Sequence, residues 1–260
     1  MTRRPYILSE ITWAEIKDKE IELAVLPWGA CEAHNYHLPY GTDIYEADYV
    51  SAEAGKKAYA KDQRFVVLPT IPFGVNTGQM DIKLDMNIYP STQMAILSDT
   101  IEVLSNAGIN KLLVVNSHGG NNFKPLLREL GAHYPDMLLS LCHWFKAVDK
   151  YEYFEKNGDH ADEMETSVMM YLYPDWIDLS IAGPGDEKKS RITGIKEGWA
   201  WTERRWSSVT EDTGIGDPSL STVEKGAKFL RDCTDKLAEL YIQLCMLDSN
   251  KMYQPTRTES

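Results

Sequence analysis

Residues 22–43 read E-L-A-V-L-P-W-G-A-C-E-A-H-N-Y-H-L-P-Y-G-T-D, and this stretch decides the fold that we expect. Its first part, residues 22–28, is a short apolar run that ends at Gly29, a pattern that predicts a buried strand opening into a loop. The loop then contains four side chains of the types that bind divalent metals: Glu32, His34, His37 and Asp43. Such groups seldom crowd behind a buried strand unless something compensates the burial of their charge.

The rest of the chain alternates predicted strands with predicted helices. Further strands are expected at 64–72, Lys111–Asn116 and 137–143, and helices at 43–60, 91–106, Phe123–His133, 162–173 and 220–247. This alternation indicates βαβ units, and therefore an α/β fold with a mainly parallel central sheet that is covered on both faces. Residues 74–89 are expected to form a long loop that returns near the first one, and residues 181–216 a long irregular segment.

Length and composition are typical of a globular protein. A chain of 260 residues with 43% hydrophobic and 25% charged residues has ordinary globular usage, so we expect a single domain over residues 1–260. The formal net charge of -12 disfavours nucleic-acid and anionic-membrane partners. No segment reads as a secretory signal or a membrane span, and the four cysteines include no C-x-x-C pair, so we expect free thiols and a cytoplasmic location.

A second loop with a metal-type ligand follows the predicted strand Lys111–Asn116. It begins S-H-G-G-N-N and contains His118. Because loops at the carboxyl ends of parallel strands converge, we expect His118 near Glu32 and His34, which share one side if their backbone is extended. Taken alone, each residue also has a structural explanation, such as a cap of the following helix for Asp43. The two glycines behind the histidine fit either a tight turn or a close approach of the backbone to a ligand.

Residues 158–167, G-D-H-A-D-E-M-E-T-S, place further candidates at the start of a predicted helix. The acidic residues Asp162, Glu163 and Glu165 can cap this helix and interact favourably with its dipole. Only some of them can cap. The others, together with His160, are therefore candidates for a last metal ligand or for a proton-transfer group.

Four segments resemble motifs of the creatininase (creatinine amidohydrolase) family. They are L-P-W-G-A-C-E-A-H-N-Y-H-L-P-Y-G-T-D at residues 26–43, N-S-H-G-G-N at 116–121, H-A-D-E-M-E-T-S at 160–167 and G-I-G-D-P-S-L-S-T-V-E-K-G at 214–226. The motifs occur in the family's order and span most of the chain. The resemblance implies a three-layer α/β/α sandwich with a creatininase-like, mainly parallel central sheet.

The resemblance also implies a site for two divalent ions, with zinc or manganese expected. By motif position, Glu32 and His118 would hold one ion, His34 would hold the other and Asp43 would bridge them. Creatininase places a further ligand, a glutamate, two residues after the motif histidine, where this chain has a glycine. We expect Glu165 to replace it, with Glu163 as the rival candidate.

The remaining roles follow from the same resemblance. His160 would protonate the leaving nitrogen, with Glu165 also assigned to the catalytic group, and substrate binding is assigned to Gly119, Gly120 and Asn121. Two departures from the family pattern bear on the substrate. Asn35-Tyr36 stands where the family has a Gly-Pro-like pair, and Lys156 stands where creatininase has a tryptophan before its catalytic histidine.

The expected function is hydrolysis of a C–N bond in a small cyclic or linear amide by a metal-activated bridging water. Within the family, a formamide deformylase and a small-peptide peptidase are alternatives, and a non-catalytic metal- or metabolite-binding protein is an alternative from another class. A metallophosphoesterase would need a cationic phosphate clamp, which the motifs do not contain. The Trp-rich residues 199–206 could cover a neighbouring subunit or this chain's own site. The resemblance implies a homo-oligomer, with a hexamer as the specific expectation.

Overall fold

The centre of the molecule is a sheet of four parallel strands. The computed structural model describes residues 3–156 and 158–253. The strands are β1 (Leu23–Trp28), β2 (Phe65–Val67), β3 (Lys111–Asn116) and β4 (Leu138–His143), and they pair in the order β2-β1-β3-β4. All three pairings are parallel, as the alternation of strands and helices predicts.

Helices cover both faces of this sheet. In chain order they are α1 (Trp13–Ile16), α2 (Thr42–Tyr59), α3 (Pro90–Asn106), α4 (Phe123–His133), α5 (Glu163–Leu172), α6 (Thr193–Lys196), α7 (Trp206–Val209) and α8 (Val223–Met246). Helices α2, α5 and α8 contribute to the core on one face, and α3 and α4 to the core on the other. The fold is therefore the α/β/α sandwich that the sequence predicts.

Successive side chains of β1 point to opposite helix layers. Leu23 and Val25 join the core formed with α2, α5 and α8, whereas Ala24, Leu26 and Trp28 join the core formed with α3 and α4. All six residues of the strand are buried. Burial of a large apolar side chain contributes about 1.5–3 kcal/mol. A strand covered on both faces thus has no polar side, which explains the unbroken apolar run in the sequence.

Strands β1 and β3 end side by side. Trp28 is paired in register with Asn116, and the backbone N–H of Ser117 donates a hydrogen bond to the Trp28 carbonyl at 2.9 Å. Trp28 is itself fixed, because its ring is buried against Phe123 and its indole N–H donates to the carbonyl of Phe73 at 2.8 Å. The loops that follow the two strands therefore start from adjacent, rigid points.

Several elements differ from the prediction. Strand β2 ends at Val67, before Pro69, so it is shorter than the run 64–72 suggests. Helix α1 was not predicted, although Thr12 and Glu15 form a capping box there. The segment 181–216 is mainly irregular, as expected, but it contains α6 and α7. Within the described residues, no helix combines the length and the apolar composition needed to cross a membrane.

Candidate metal centre

Acidic and imidazole side chains from three segments meet at the carboxyl edge of β1 and β3. Glu32 and His34 lie in the loop after β1, Asp43 lies in the first turn of α2, and His118 lies in the loop after β3. His118 Nδ1 is 3.0 Å from Glu32 Oε1 and 3.1 Å from Asp43 Oδ2. His34 Nε2 is 3.2 Å from Asp43 Oδ1. All four side chains are buried, so the structure brings together Glu32, His34, Asp43 and His118. His37, the fourth metal-type residue of the first loop, belongs to none of the metal-type groups, and its Nε2 lies 2.8 Å from Thr166 Oγ1.

The start of α5 adds two more of the predicted residues to this cluster. Glu165 is buried in the first turn of the helix and accepts a hydrogen bond from the backbone N–H of Ala161. His160 precedes the helix, with its Nδ1 3.6 Å from Glu32 Oε1 and its ring centroid 4.1 Å from that of His34. The cluster thus draws on three of the four sequence motifs.

The ligand atoms fall into overlapping groups of three. One group is Glu32, Asp43 and His118, and a second is His34, Asp43 and Glu165. Within each group the ligand atoms lie within 4.8 Å of one another, and Asp43 belongs to both. A third group, which includes His160 with Glu32 and His34, overlaps these two. A shared carboxylate between two sets of oxygen and nitrogen donors is an arrangement that could hold a pair of divalent ions.

Backbone carbonyls orient the three imidazoles. His34 Nδ1 lies 3.0 Å from the carbonyl of Glu32, His118 Nε2 3.1 Å from that of Val75, and His160 Nε2 2.8 Å from that of Ala33. A carbonyl only accepts hydrogen bonds, so in each ring this nitrogen carries the proton. The other nitrogen, which faces the cluster, is then free to donate its lone pair. A ligand histidine held by its remote N–H is typical of protein metal sites.

Burial and the close approach of charged groups shift the pKa values of the cluster. Burial alone would lower the pKa of His34, but the nearby negative charge of Asp43 raises it to about 10. Glu32 and Asp43 likewise raise the pKa of His118 well above its ordinary value against the effect of burial. Burial raises the pKa of Glu165 to about 8. Divalent cations could replace protons bound at these groups, because metal ligands bind in their deprotonated forms.

Two atoms in the middle of the cluster lack directed hydrogen bonds. They are His34 Nε2 and Asp43 Oδ2, and neither has a hydrogen-bond partner among the described residues although both are enclosed. Buried polar atoms without partners are rare and call for an explanation. These two atoms are the donors that a divalent ion would use. The donor set therefore fits the implied metal pair.

The acidic residues of 158–167 have three different environments. Asp162 caps α5, where its Oδ1 accepts from the backbone N–H groups of the second and third following residues. Glu163 faces away from the cluster, because its carboxylate binds Lys225 Nζ and accepts from the backbone N–H groups of Glu155 and Lys156. Glu165 alone of the three belongs to the metal-type groups. Geometry therefore favours Glu165 over Glu163 as the remaining carboxylate ligand.

The three residues assigned to substrate binding, Gly119, Gly120 and Asn121, have different environments in the structure. A Cβ atom on Gly120 would lie 2.4 Å from His118 Nε2 and 2.5 Å from the Val75 carbonyl, so glycine is required for the ring to reach that carbonyl. A Cβ on Gly119 would meet nothing within 4 Å. The Asn121 side chain accepts from Val75 N and Gln93 Nε2 and donates to another asparagine. All three residues line the cavity described next, but the Asn121 amide is already engaged.

A cavity of about 460 Å³ lies over the cluster and could hold a small molecule. Its far wall comes from the irregular segment, where the Trp206 ring packs edge-on against His160 with centroids 5.3 Å apart. Arg204 lies over the Trp206 ring at 4.6 Å and its Nη1 pairs with Asp159 Oδ2 at 2.7 Å. The segment thus covers the chain's own site through Trp206. Trp201 also lines the cavity, although its side chain, like that of Trp199, is mostly exposed.

Comparison with known proteins gives the family. The model of the family described as "Creatininase: Creatinine amidohydrolase" matches residues 9–241. The chain belongs to the creatininase family. Two curated relatives are a mycofactocin precursor peptide peptidase from Mycobacterium ulcerans (24% identity; 82% of this chain and 84% of the relative) and a creatinine amidohydrolase from Pseudomonas putida (24%; 66% and 74%).

Solved creatininase-family structures share this fold. A candidate creatinine amidohydrolase from Bacteroides fragilis NCTC 9343 is 38% identical, with a TM-score of 0.90 over 98% of this chain and 100% of that chain. A manganese form of creatininase is 19% identical, with a TM-score of 0.75 over 93% and 99%. A Zn-Zn form has also been solved. Proteins of the creatininase fold thus bind zinc or manganese, and this chain has a buried cluster able to hold metal.

The departures from the family pattern have local explanations. Asn35, at the place of the family's glycine, adopts φ 55°, a left-handed conformation that asparagine tolerates better than most residues. Its side chain also bonds the backbone N–H and carbonyl of Gly183. Lys156, which stands in place of a tryptophan, pairs with Asp217 of the fourth motif at 3.1 Å. The Lys156 cation is therefore engaged in a salt bridge. The aromatic side chain that packs against the site is instead that of Trp206.

Sequence reasoning missed two residues next to the centre. Glu46 is buried one helical turn after Asp43 and accepts from Ser117 Oγ at 3.2 Å, and burial raises its pKa well above the ordinary value. The spacing of three residues in α2 could have identified it. Gln79 donates to Glu32 Oε2 at 2.6 Å and so holds that carboxylate in place. Nothing local in the sequence around Gln79 indicates this contact, because it lies 47 residues away along the chain.

Matched substitutions test the choice between Glu165 and Glu163. We expect Glu165→Gln to weaken metal binding at least about tenfold, because a ligand of one triad loses its charge. Glu163→Gln should keep full metal content but lower the free energy of unfolding by about 1–2 kcal/mol, because the hydrogen bond to Lys225 loses one of its charges. Metal analysis after dialysis, combined with thermal unfolding, measures both effects. Metal loss in Glu163→Gln alone would reverse the assignment.

Proposed function

We propose that this protein is a metal-dependent amidohydrolase that binds two divalent ions, zinc or manganese, and hydrolyses a C–N bond of a small amide. The observation that carries the proposal is the pair of buried donor groups that share Asp43. One ion would bind Glu32, Asp43 and His118. The other would bind His34, Asp43 and Glu165. This assignment agrees with the motif positions of the family and with the unpartnered donor atoms of His34 and Asp43.

Bound ions at these residues would supply Lewis acidity and a water of lowered pKa. The chain's own contribution is positioning and proton transfer. His160 has its Nε2 proton fixed on the Ala33 carbonyl, so its Nδ1 faces the cluster. Burial lowers the pKa of His160, which keeps Nδ1 unprotonated at neutral pH. It can therefore accept a proton from the attacking water and deliver it to the leaving nitrogen.

The wall of the cavity protects this proton transfer. The buried Trp206 ring packs against the His160 ring and shields it from bulk water. Its indole N–H donates to the Thr213 carbonyl at 2.8 Å, which fixes the ring. A protein that only bound metal would have no need of a shielded imidazole beside the cluster, so this feature favours an enzyme over the non-catalytic alternative.

The substrate class is tested by direct hydrolysis. Purified protein is stripped with chelator, reloaded with Zn²⁺ or Mn²⁺, and assayed against cyclic ureides, formamides and short peptides. We expect turnover of at least one amide class by the loaded protein, none by the stripped protein, and two equivalents of metal per chain. Metal at two equivalents without hydrolysis of any class would instead support a binding protein.

Removal of the imidazole tests the role of His160. We expect His160→Ala to lower kcat by about 10²–10⁴-fold, the usual contribution of a general acid or base, while metal content is retained. His133→Ala, on the exposed side of α4, is the matched control and should leave kcat unchanged. The assignment fails if His160→Ala retains turnover with metal content unchanged.

Two wider expectations belong to the same proposal. The exposed side chains of Trp199 and Trp201, 76% and 82% accessible, are large apolar groups that a second copy of the chain could cover, so we propose a homo-oligomer such as a hexamer. Light scattering of the purified protein tests this. We also propose a cytoplasmic location, which fits the four free cysteines and is tested by cell fractionation.

A further inference from the structure

A second cavity adjoins the one over the metal cluster. It has a volume of about 430 Å³ and lies beside the carboxyl end of β4, where Phe145 and Val148 contribute apolar walls. The two cavities share three wall residues, which are Gly119, Asp159 and Glu165. Because Glu165 also belongs to one of the donor groups, both cavities border the cluster.

His143 offers a hydrogen-bond donor to this second cavity. Its Nδ1 lies 3.0 Å from Asn116 Nδ2, and the same Nδ2 donates to the His118 carbonyl at 2.7 Å. A carbonyl only accepts, so the amide nitrogen faces both partners and His143 Nδ1 is the acceptor. In the neutral ring the proton is then on Nε2. This N–H has no partner within residues 3–156 and 158–253, and it is available to an oxygen atom of a ligand.

The position of His160 gives the two cavities different roles. His160 lines the cavity over the cluster and does not line the second one. If His160 delivers the proton to the leaving nitrogen, the amine half of the substrate lies in the first cavity. The acyl half then points past Glu165 toward the second cavity. A linear amide would occupy both spaces, whereas a single small ring would occupy the first alone.

We propose that the second cavity is the subsite for the acyl half of a linear amide substrate, and that His143 binds an oxygen atom of that half. This inference rests on the proposed amidohydrolase function and narrows its substrate class. The substrates it selects have an acyl chain longer than formyl that carries a carbonyl or carboxylate oxygen. Simple formamides and single-ring ureides leave this subsite empty.

Matched chromogenic amides test the subsite in the metal-loaded protein. The probes are the formyl, acetyl and succinyl amides of p-nitroaniline, which differ only in the acyl half. We expect kcat/KM for the succinyl amide to exceed that for the formyl amide at least about tenfold, as one hydrogen bond to a charged group allows. Similar values for the three amides, or a preference for formyl, would overturn the proposal.

Variants of the subsite separate specific binding from general damage. His143→Leu should reduce the preference for succinyl over acetyl about tenfold, whereas His143→Gln, which keeps a terminal N–H, should retain most of it. Val148→Phe fills the second cavity and should reduce the preference of both longer amides over formyl. Val103→Phe, the same change at an exposed position of α3, is the control and should leave the preferences unchanged. Preferences that survive both His143→Leu and Val148→Phe contradict the subsite.

Binding of product acids supplies a readout that does not need turnover. Titration calorimetry of the metal-loaded protein with formate, acetate and succinate should show succinate binding about tenfold more tightly, with the gain lost in His143→Leu. If none of the anilides, ureides, formamides and short peptides is hydrolysed but this pattern is found, the hydrolase function fails and the subsite stands. If the three acids bind equally well to the wild type, to His143→Leu and to Val148→Phe, the subsite proposal fails whether or not the protein is an amidohydrolase.

Discussion

Asp43→Asn is expected to abolish hydrolysis and to remove both metal ions. Asp43 belongs to both donor groups, with one carboxylate oxygen 3.2 Å from His34 Nε2 and the other 3.1 Å from His118 Nδ1. An amide in its place cannot bridge two cations or compensate their charge. Loss of several kcal/mol of transition-state stabilisation corresponds to a fall in kcat/KM on the order of 10³-fold or more.

Metal analysis and kinetics measure this loss on the same samples. Asp48→Asn provides the control, because Asp48 lies on the exposed side of the same helix and its contact is with Thr70. That variant should keep two equivalents of metal and normal turnover. Circular dichroism establishes that both variants are folded. Retention of both ions by Asp43→Asn would contradict this prediction, because it would show that neither donor group depends on Asp43.

A large loss of stability from a single added methyl group is expected at Gly226. This residue lies in α8 where the helix crosses α5, and a Cβ there would sit 2.0 Å from the carbonyl oxygen of Ser167. Because a backbone atom cannot move like the end of a side chain, Gly226→Ala should separate the helices. Overpacking of this kind lowers the free energy of unfolding by about 1–3 kcal/mol, and a shift of α5 would also displace Glu165.

A glycine-to-alanine substitution in α4 is expected to increase stability instead of lowering it. A Cβ on Gly131 meets nothing within 4 Å, so Gly131→Ala should raise the free energy of unfolding by about 0.5–1 kcal/mol through helix propensity alone. Denaturant unfolding of both variants gives the comparison. A chain of this size changes its Tm by about 2–4 °C for each kcal/mol. Equal effects at the two glycines would mean that α5 and α8 adjust freely.

The sequence predicted the sheet and the assembly of the cluster because both depend on local patterns. Apolar runs before Gly29 and before His118 predict two parallel strands whose following loops lie at one edge of the sheet, and the pairing of β1 with β3 then brings Glu32 and His118 together. The choice between Glu163 and Glu165 could not be made in this way. It depends on Lys225, which lies more than 50 residues along the chain and binds Glu163.

Other features also could not be predicted, because they depend on contacts between segments that are distant along the chain. The cap of α5 could have been any of several acids, and Asp43 was a plausible cap of α2 but has no side-chain capping bond. Gln79 contacts the site from a segment whose course is set by tertiary packing, and the sequence left open whether the Trp-rich residues that include Trp206 cover this site or a neighbouring subunit. Local propensity does not fix such contacts. Their side chains were therefore visible only in the folded structure.

The three imidazoles are aimed by main-chain oxygens of Glu32, Val75 and Ala33 and not by neighbouring side chains. Many side chains around the centre can therefore change without turning the rings, whereas Gly120 cannot, because it makes room for the His118 ring. The orientation of the imidazoles is thus largely independent of the side chains that line the cavity. Those lining side chains are the natural target for changing which molecules the protein accepts.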